Sequence, residues 1–258
     1  MKPMAPGLAA LTLLLAIGCG HGAGAASDEA AFNARKRLTR ELIARDEWAN
    51  AFAHADDLNR QRPGDGEILT LRGIILRERK LVDDAEADLR AAVAAEPGRA
   101  EAHAALGILL DSTSRGVEAE THHRRAVELD AKNPSYLNNL GFSLLVRRKT
   151  KDAIAVLQKS ARLDPTNPRL RTNLGFAYAA AGDMPRAARE FNIGAKPADA
   201  KNNLGFAYES RGDLQNAYDL YEQALQLDPG SRRARSNLDH VAARLGRPVP
   251  PLAPENQP

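Results

Sequence analysis

The sequence predicts an all-α fold: a right-handed solenoid of about six helix-turn-helix repeats, closed by a C-terminal capping helix. Three observations carry that expectation. Glycines stand at Gly73, Gly107, Gly141 and Gly175, each 34 residues after the last, and Gly205 follows at a shortened step of 30. Twelve residues beyond each glycine stands an alanine: Ala85, Ala119, Ala153, Ala187 and Ala217. Seven further on the residue is small again, as Ala92, Ala126, Ser160, Gly194 and Ala224. Small residues at fixed offsets in a period of this length describe paired helices whose backbones approach closely where they cross. One such pair cannot bury its apolar face alone, so successive pairs stack into an array whose extended surface suits protein binding.

The unit 134–167 shows the pattern most fully. Its first helix carries Leu137, Leu140, Gly141 and Leu144 in a stripe of helical period. A polar turn at 147–150 follows, and the second helix carries Ala153, Ile154, Val156, Leu157 and Ser160. Asp164-Pro165 ends the unit, because proline has no amide donor and biases the residue before it away from helical angles. The same stop recurs at Glu96-Pro97 and Asp228-Pro229; Asp130-Ala131 replaces it once, and a less sharply defined junction is expected there. Ala51 and Pro63 fall 34 residues before Ala85 and Pro97, which adds a unit with Thr39 at the glycine position. The repeats are therefore 32–65, 66–99, 100–133, 134–167, a short unit at 168–197, and 198–231. The deletion in the short unit either changes the angle between neighbours or is neutral. Residues 232–245 read as the polar-faced cap that a solenoid needs at its open end, and Gly246 ends it. A disordered proline-rich tail is expected over 246–258.

The amino terminus reads as a targeting segment. Lys2 precedes the apolar run Leu8–Ile17, too short to remain as a bilayer span. It leads into Ala16-Ile17-Gly18-Cys19, and Cys19 is the only cysteine, so no intramolecular disulfide can form. This stretch resembles a bacterial lipobox with Ala16 where leucine is usual. The resemblance implies a signal peptide at 1–18 and a lipid on Cys19; an ordinary secretory signal is the alternative. Residues 19–31 read as a flexible tether. Gly20, where a retention signal would carry aspartate, favours the outer membrane with the repeats facing the periplasm.

The repeat pattern over 32–231 is identified as that of the tetratricopeptide family. A lipoprotein leader followed by such repeats resembles two groups of bacterial proteins, the TadD-type lipoproteins of tight-adherence (Flp) pilus assembly and the pilotin-like lipoproteins of type IV pilus biogenesis. Asn138-Asn139-Leu140-Gly141-Phe142 is echoed by Thr172-Asn173-Leu174-Gly175-Phe176-Ala177-Tyr178 and by Asn202-Asn203-Leu204-Gly205-Phe206-Ala207-Tyr208. These copies and the shortened step look most like the TadD type over 134–245. The resemblance implies a non-enzymatic, lipid-anchored scaffold in the bacterial envelope that assists assembly of a pilus or secretion machinery. The partner implied is an envelope protein or peptide segment, such as a secretin or a pilus assembly component. A general envelope adaptor unconnected with pili and an enzyme subunit with an unrecognised site are the alternatives.

In this family the first helices line the concave face, and the residues two and three before the glycine and the one after it point there. The candidate groove is thus Asn138, Asn139 and Phe142, then Thr172, Asn173 and Phe176, then Asn202, Asn203 and Phe206. Three phenylalanines in register would give an apolar floor, and the amides would give donors and acceptors for a peptide backbone. The competing reading is that each Phe packs between helices and each Asn bonds its neighbour as a ladder. Asn139 and Arg169 suit a carboxylate clamp, but Ala104 and Ile108 stand where it needs Lys and Asn, so no clamp is expected. His122 and His123 diverge on one helix, and His103 could approach His123, but no further ligand completes a metal site, so no metal and no cofactor are expected. Phosphate loops, nucleophile elbows and HExxH motifs are absent, and no catalytic residue is assigned. The 36 basic and 33 acidic residues leave a net charge of +3 spread along the chain, and no basic stripe with stacking aromatics points to nucleic acid. One outcome tests the amino terminus: Cys19→Ser should move the protein from the membrane to the soluble fraction, read by fractionation and by mass spectrometry of the lipid on the wild type. Unchanged membrane association of the variant, with no lipid on the wild type, would exclude lipidation.

Overall fold

The computed structural model describes residues 21–249, so the predicted signal peptide, Cys19 and the last nine residues lie outside it. The chain forms thirteen helices among the described residues, and no strand. Twelve of them make six pairs: α1 (His21–Ala44) with α2 (Trp48–Gln61), α3 (Gly66–Glu78) with α4 (Val82–Ala95), and α5 (Ala100–Ser112) with α6 (Gly116–Leu129). They continue as α7 (Pro134–Val146) with α8 (Thr150–Leu163), α9 (Pro168–Ala180) with α10 (Met184–Gly194), and α11 (Pro197–Glu209) with α12 (Leu214–Leu227). The thirteenth, α13 (Arg232–Leu245), caps the stack. The fold is the all-α tetratricopeptide solenoid that the periodicity predicts. First helices pack on the first helices of neighbouring units, whereas among the described residues no second helix packs on the next second helix. The first helices are therefore the inner layer, and their outward-facing residues make the concave surface.

The pairs are held by a contact of large side chain on bare backbone. A Cβ added at Gly73 would lie 2.5 Å from Leu89 Cγ, and one at Gly141 would lie 2.5 Å from Leu157 Cγ. At Gly107, Gly175 and Gly205 the added atom would meet the rings of His123, Phe191 and Tyr221 at 2.6, 2.6 and 2.8 Å. Each partner stands sixteen residues after its glycine, and all five are buried. The alanines twelve residues after the glycines are fully buried as well. In the first pair Thr39 takes the glycine position, and the residue sixteen on is Ala55; both are fully buried. The side chain that Thr39 adds is matched by the one that Ala55 lacks. Volume is conserved across the crossing although both identities change.

The turn inside each pair repeats one geometry. Asp46, Lys80, Ser114, Arg148, Gly182 and Gly212 all adopt positive φ, between 58° and 85°. The residue after each donates its amide five positions back, as in Leu81 N to Leu76 O at 2.9 Å and Lys149 N to Leu144 O at 2.9 Å, the bond that closes a Schellman motif. Between units the residue that ends the second helix leaves helical angles. Asp130 (φ −142°, ψ 83°) is indistinguishable there from Asp164 (φ −137°, ψ 84°). The junction expected to be blurred by the missing proline is as sharp as the others, because the cap is fixed by Asp130 N bonding to Ala126 O at 3.0 Å. Asn133 and Asn167 then cap α7 and α9 through their side-chain oxygens.

Two further expectations are corrected. The tether drawn over 19–31 is helical from His21 onward. Ala23, Ala25, Ala26, Ala30 and Ala31 favour helix, and the segment is anchored where Phe32 is buried and Glu29 pairs with Arg62 at 2.6 Å. The proline-rich tail is ordered over 246–249. Gly246 takes the left-handed conformation (φ 64°) and ends α13, Arg247 stacks 4.5 Å above the Tyr218 ring, and the Tyr218 hydroxyl donates to Pro248 O at 2.9 Å. The short unit loses helix as well as linker: α10 has 11 residues where α8 and α12 have 14. Ala195 and Lys196 alone join it to α11. Gly194 is drawn against α9, where an added Cβ would stand 2.6 Å from Arg171 Cβ and 2.9 Å from Pro168 O. On α13 the glycine position is Asp239, which is exposed, since among the described residues no second helix presses against it.

Gly141→Leu should cost about 1–3 kcal/mol by overpacking, measured by urea denaturation. Hydrogen exchange should rise first within 134–167, because each unit touches only its neighbours. A double-mutant cycle of Gly141→Ala with Leu157→Ala should show favourable coupling, reproducing the Thr39–Ala55 exchange. Additive losses would mean that the two positions do not share one volume.

Candidate functional site

The concave surface is richest where α7, α9 and α11 lie side by side. Phe142 and Phe206 are 47% and 49% exposed, and Val146, one turn after Phe142, is 65% exposed. Phe176 sits between the groove and the core. Its ring meets Phe206 edge-on at 5.9 Å and Phe191, the side chain under Gly175, at 4.9 Å. The Phe176–Phe206 pair separates two open compartments and lines both, together with Asn173. One, of about 790 Å³, adds Phe142, Val146, Arg148 and Arg211. The other, of about 780 Å³, adds Thr172, Asn202, Asn203 and residues 193–196 at the end of the shortened α10.

Of the nine sequence-predicted residues, seven line these compartments: Phe142, Thr172, Asn173, Phe176, Asn202, Asn203 and Phe206. Asn138 and Asn139 line neither. Asn138 is buried, and its Oδ1 accepts from Asn173 Nδ2 at 2.8 Å. Asn202 Oδ1 accepts from Asn237 Nδ2 at 2.9 Å in the same way. The amides therefore form a ladder between successive first helices, while the phenylalanines reach the surface. Both sequence readings apply, to different residues. Asn237 on α13 belongs to the site and was legible, since it lies 34 residues after Asn203. Ile193, 51% exposed, was not, because it comes from a second helix and reaches the groove only where α10 stops short.

Three tetratricopeptide-repeat models match the sequence, over residues 70–134, 144–203 and 198–231, together more than half of the chain. The chain is a tetratricopeptide-repeat protein. No curated protein sequence matches it. Among solved structures it is similar to PilF of Pseudomonas aeruginosa, with 18% identity and a TM-score of 0.65, covering 82% of this chain and 98% of that one. It is similar to PilW, described as a widely conserved type IV pilus biogenesis factor, with 21% identity and a TM-score of 0.69 over 81% of this chain and 98% of that one. It is also similar to YrrB, described as a tetratricopeptide protein with an unusual peptide-binding site, with 20% identity and a TM-score of 0.54 over 70% and 96%. At these identities the likeness is one of fold.

The two halves of the repeat protein's concave face differ. In the amino-terminal half Arg40, one residue past the Thr39 position, bonds Glu101 at 2.8 Å and Glu67 at 3.0 Å, and Lys36 bonds Glu67 at 2.8 Å. Burial would raise the Glu67 carboxyl, but these two cations hold it below the usual range. The charges of Lys36, Arg40, Glu67 and Glu101 are thus paired with one another. The histidines correct a further expectation: His103 approaches His122, with Nδ1 atoms 3.0 Å apart, and not His123. His103 Nε2 donates to Pro97 O at 3.2 Å, so its Nδ1 accepts from His122, and burial lowers both imidazoles. His123 fills the core site over Gly107 and bonds Asp111 at 3.0 Å. Among the described residues no group of three or more such ligands could hold a metal ion. Glu120 is buried and bonded by Arg124, Arg147 and Lys149.

The ladder makes a stability test. Asn173→Asp replaces the donor facing Asn138 Oδ1 with an acceptor, and should cost about 1–3 kcal/mol in a thermal or urea melt. An unchanged melt would show that the amide pair contributes nothing to the stacking of α7 on α9.

Proposed function

We propose that this tetratricopeptide-repeat protein is a non-enzymatic scaffold, lipid-anchored through Cys19 at the periplasmic side of a bacterial outer membrane, that holds a segment of a pilus or secretion assembly component in the groove of α7, α9 and α11. The observation that carries the binding reading is the pair of exposed phenylalanines, Phe142 and Phe206, aligned across three first helices with Phe176 between them. Exposed aromatics beside a concave floor are what interface hot spots are built from. Tetratricopeptide repeats are typically non-catalytic scaffolds. The machinery is supported by the likeness to PilF and PilW, the groove by the peptide-binding site named for YrrB, and the TadD-type resemblance of 134–245 points to pili as well. The anchor rests on the sequence around Cys19. No helix of the described residues is long and apolar enough to cross a membrane.

Phe142→Ala with Phe206→Ala should abolish capture of the partner from detergent-solubilised envelopes. Because both rings are half exposed, the melt should move by no more than about 0.5 kcal/mol each, as for surface positions. Phe176→Ala should lose stability too, since its ring packs on Phe191. Mass spectrometry of what the wild type captures and the double variant does not identifies the partner. Undiminished capture by the double variant would move the binding surface elsewhere, and a captured partner outside pilus or secretion machinery would overturn the assembly role alone.

A further inference from the structure

The charge around the groove says what kind of segment it takes. Five cations line the two compartments, Arg148 and Arg211 beside one and Arg169, Lys196 and Arg233 beside the other. One carboxylate lines them, Asp199, and Arg233 already bonds it at 2.5 Å. The chain as a whole has 36 basic and 33 acidic residues, so this excess is local to the groove. It is also uncompensated: among the described residues no ion pair joins Arg148, Arg169 or Lys196 to a carboxylate, whereas Arg40, Arg90 and Arg115 are each paired more than once.

We infer that the groove selects an acidic peptide segment with two bulky apolar side chains, one seated on each side of the Phe176–Phe206 pair and flanked by aspartate or glutamate. The inference rests on the groove reading and adds the chemistry of the occupant. Phe142, Val146 and Ile193 offer apolar surface for the anchors, and Asn173, whose Oδ1 is not the atom held by Asn138, lines both compartments. Cations around an apolar floor raise the local concentration of an anionic segment and speed its capture. Arginine adds direction, because its planar fork matches a carboxylate. A purely electrostatic ligand would leave the exposed phenylalanines unused, and a neutral apolar one would leave the cations unused. An acidic segment with apolar anchors uses both.

The shortened repeat builds one of the two seats. Ile193, Gly194, Ala195 and Lys196 line the second compartment where α10 ends three residues earlier than α8 or α12 would by length, so the deletion supplies an apolar side chain and a cation together.

The test uses the full-length chain and three fluorescein-labelled peptide pools, each with two Leu or Phe anchors at varied spacing. The flanking residues are Asp and Glu in one pool, Ser and Gln in the second, and Lys and Arg in the third. By fluorescence anisotropy the acidic pool should bind about tenfold tighter than the neutral pool, with the basic pool weakest. Added salt should narrow that gap. Arg148→Glu with Lys196→Glu should erase or reverse the order; both side chains are exposed, and an unchanged circular dichroism melt confirms the fold. Phe142→Ala with Phe206→Ala should weaken every pool. Equal binding of the three pools, still weakened by the phenylalanine variant, would keep the groove and overturn its acidic preference. A preference that survives the charge reversal, or ignores the phenylalanine variant, would overturn the placement of the acid contacts. Binding of no pool would overturn groove and preference together, and tight binding of anionic phospholipid vesicles in place of the acidic pool would reassign the cations to a membrane surface.

Discussion

Five of the six units of this solenoid depend on one steric condition: the first helix must be bare where the second presents a large buried side chain. Leu89, His123, Leu157, Phe191 and Tyr221 fill that place in turn, and the glycines beneath them leave no room even for a methyl group. The condition sets the distance between paired helices, and through it the stacking of first helices whose exposed sides become the groove. Dispersion contacts at such a crossing are individually small but numerous, and a gap or an intrusion loses many at once. Chemistry matters less than volume. An imidazole that also bonds Asp111 serves as well as a leucine, and a threonine serves in place of glycine once its partner is an alanine.

That condition explains which parts were legible in the sequence. Glycine and alanine recur as the same letters, so the period and the pairs of helices could be read directly. The large partner varies among Leu, His, Phe and Tyr, so the sixteen-residue offset has no letter to betray it. In the groove, Phe142, Phe176 and Phe206 were found by register because they lie on first helices. Asn138 shares that register but turns into the stack, where Asn173 takes its amide oxygen, and a one-dimensional pattern cannot tell those directions apart. The cations around the groove come from four different settings: an intra-unit turn (Arg148), the start of α9 (Arg169), the linker after α10 (Lys196) and the cap (Arg233). Only folding brings them to one rim. The helical start of α1 was missed because its glycines suggested a tether, whereas its alanines and the packing of Phe32 decide the outcome.

The concave face is thus divided between two uses of charge. Near the amino terminus Lys36 and Arg40 meet Glu67 and Glu101, carboxylates contributed by the next two first helices, so electrostatics there serve the stacking. Toward the carboxyl terminus the stacking is served by neutral amides, Asn173 to Asn138 and Asn237 to Asn202. Carboxamides satisfy each other without neutralising anything; Arg233 still pairs with Asp199, but Arg148, Arg169 and Lys196 have no ion pair among the described residues. A surface that solves its internal hydrogen bonding with uncharged groups keeps its field for whatever approaches from outside.

At the glycine position of α13 stands an exposed aspartate, Asp239. A stack of identical pairs has no intrinsic length: its last first-helix is a template for another second helix, whether from the same chain or from a neighbouring molecule. Bare backbone at Asp239 would invite that docking and with it end-to-end fibres. A carboxylate there would have to leave water without a partner if a helix closed over it. An exposed carboxylate thus stands at the place where a further second helix would have to close over the stack.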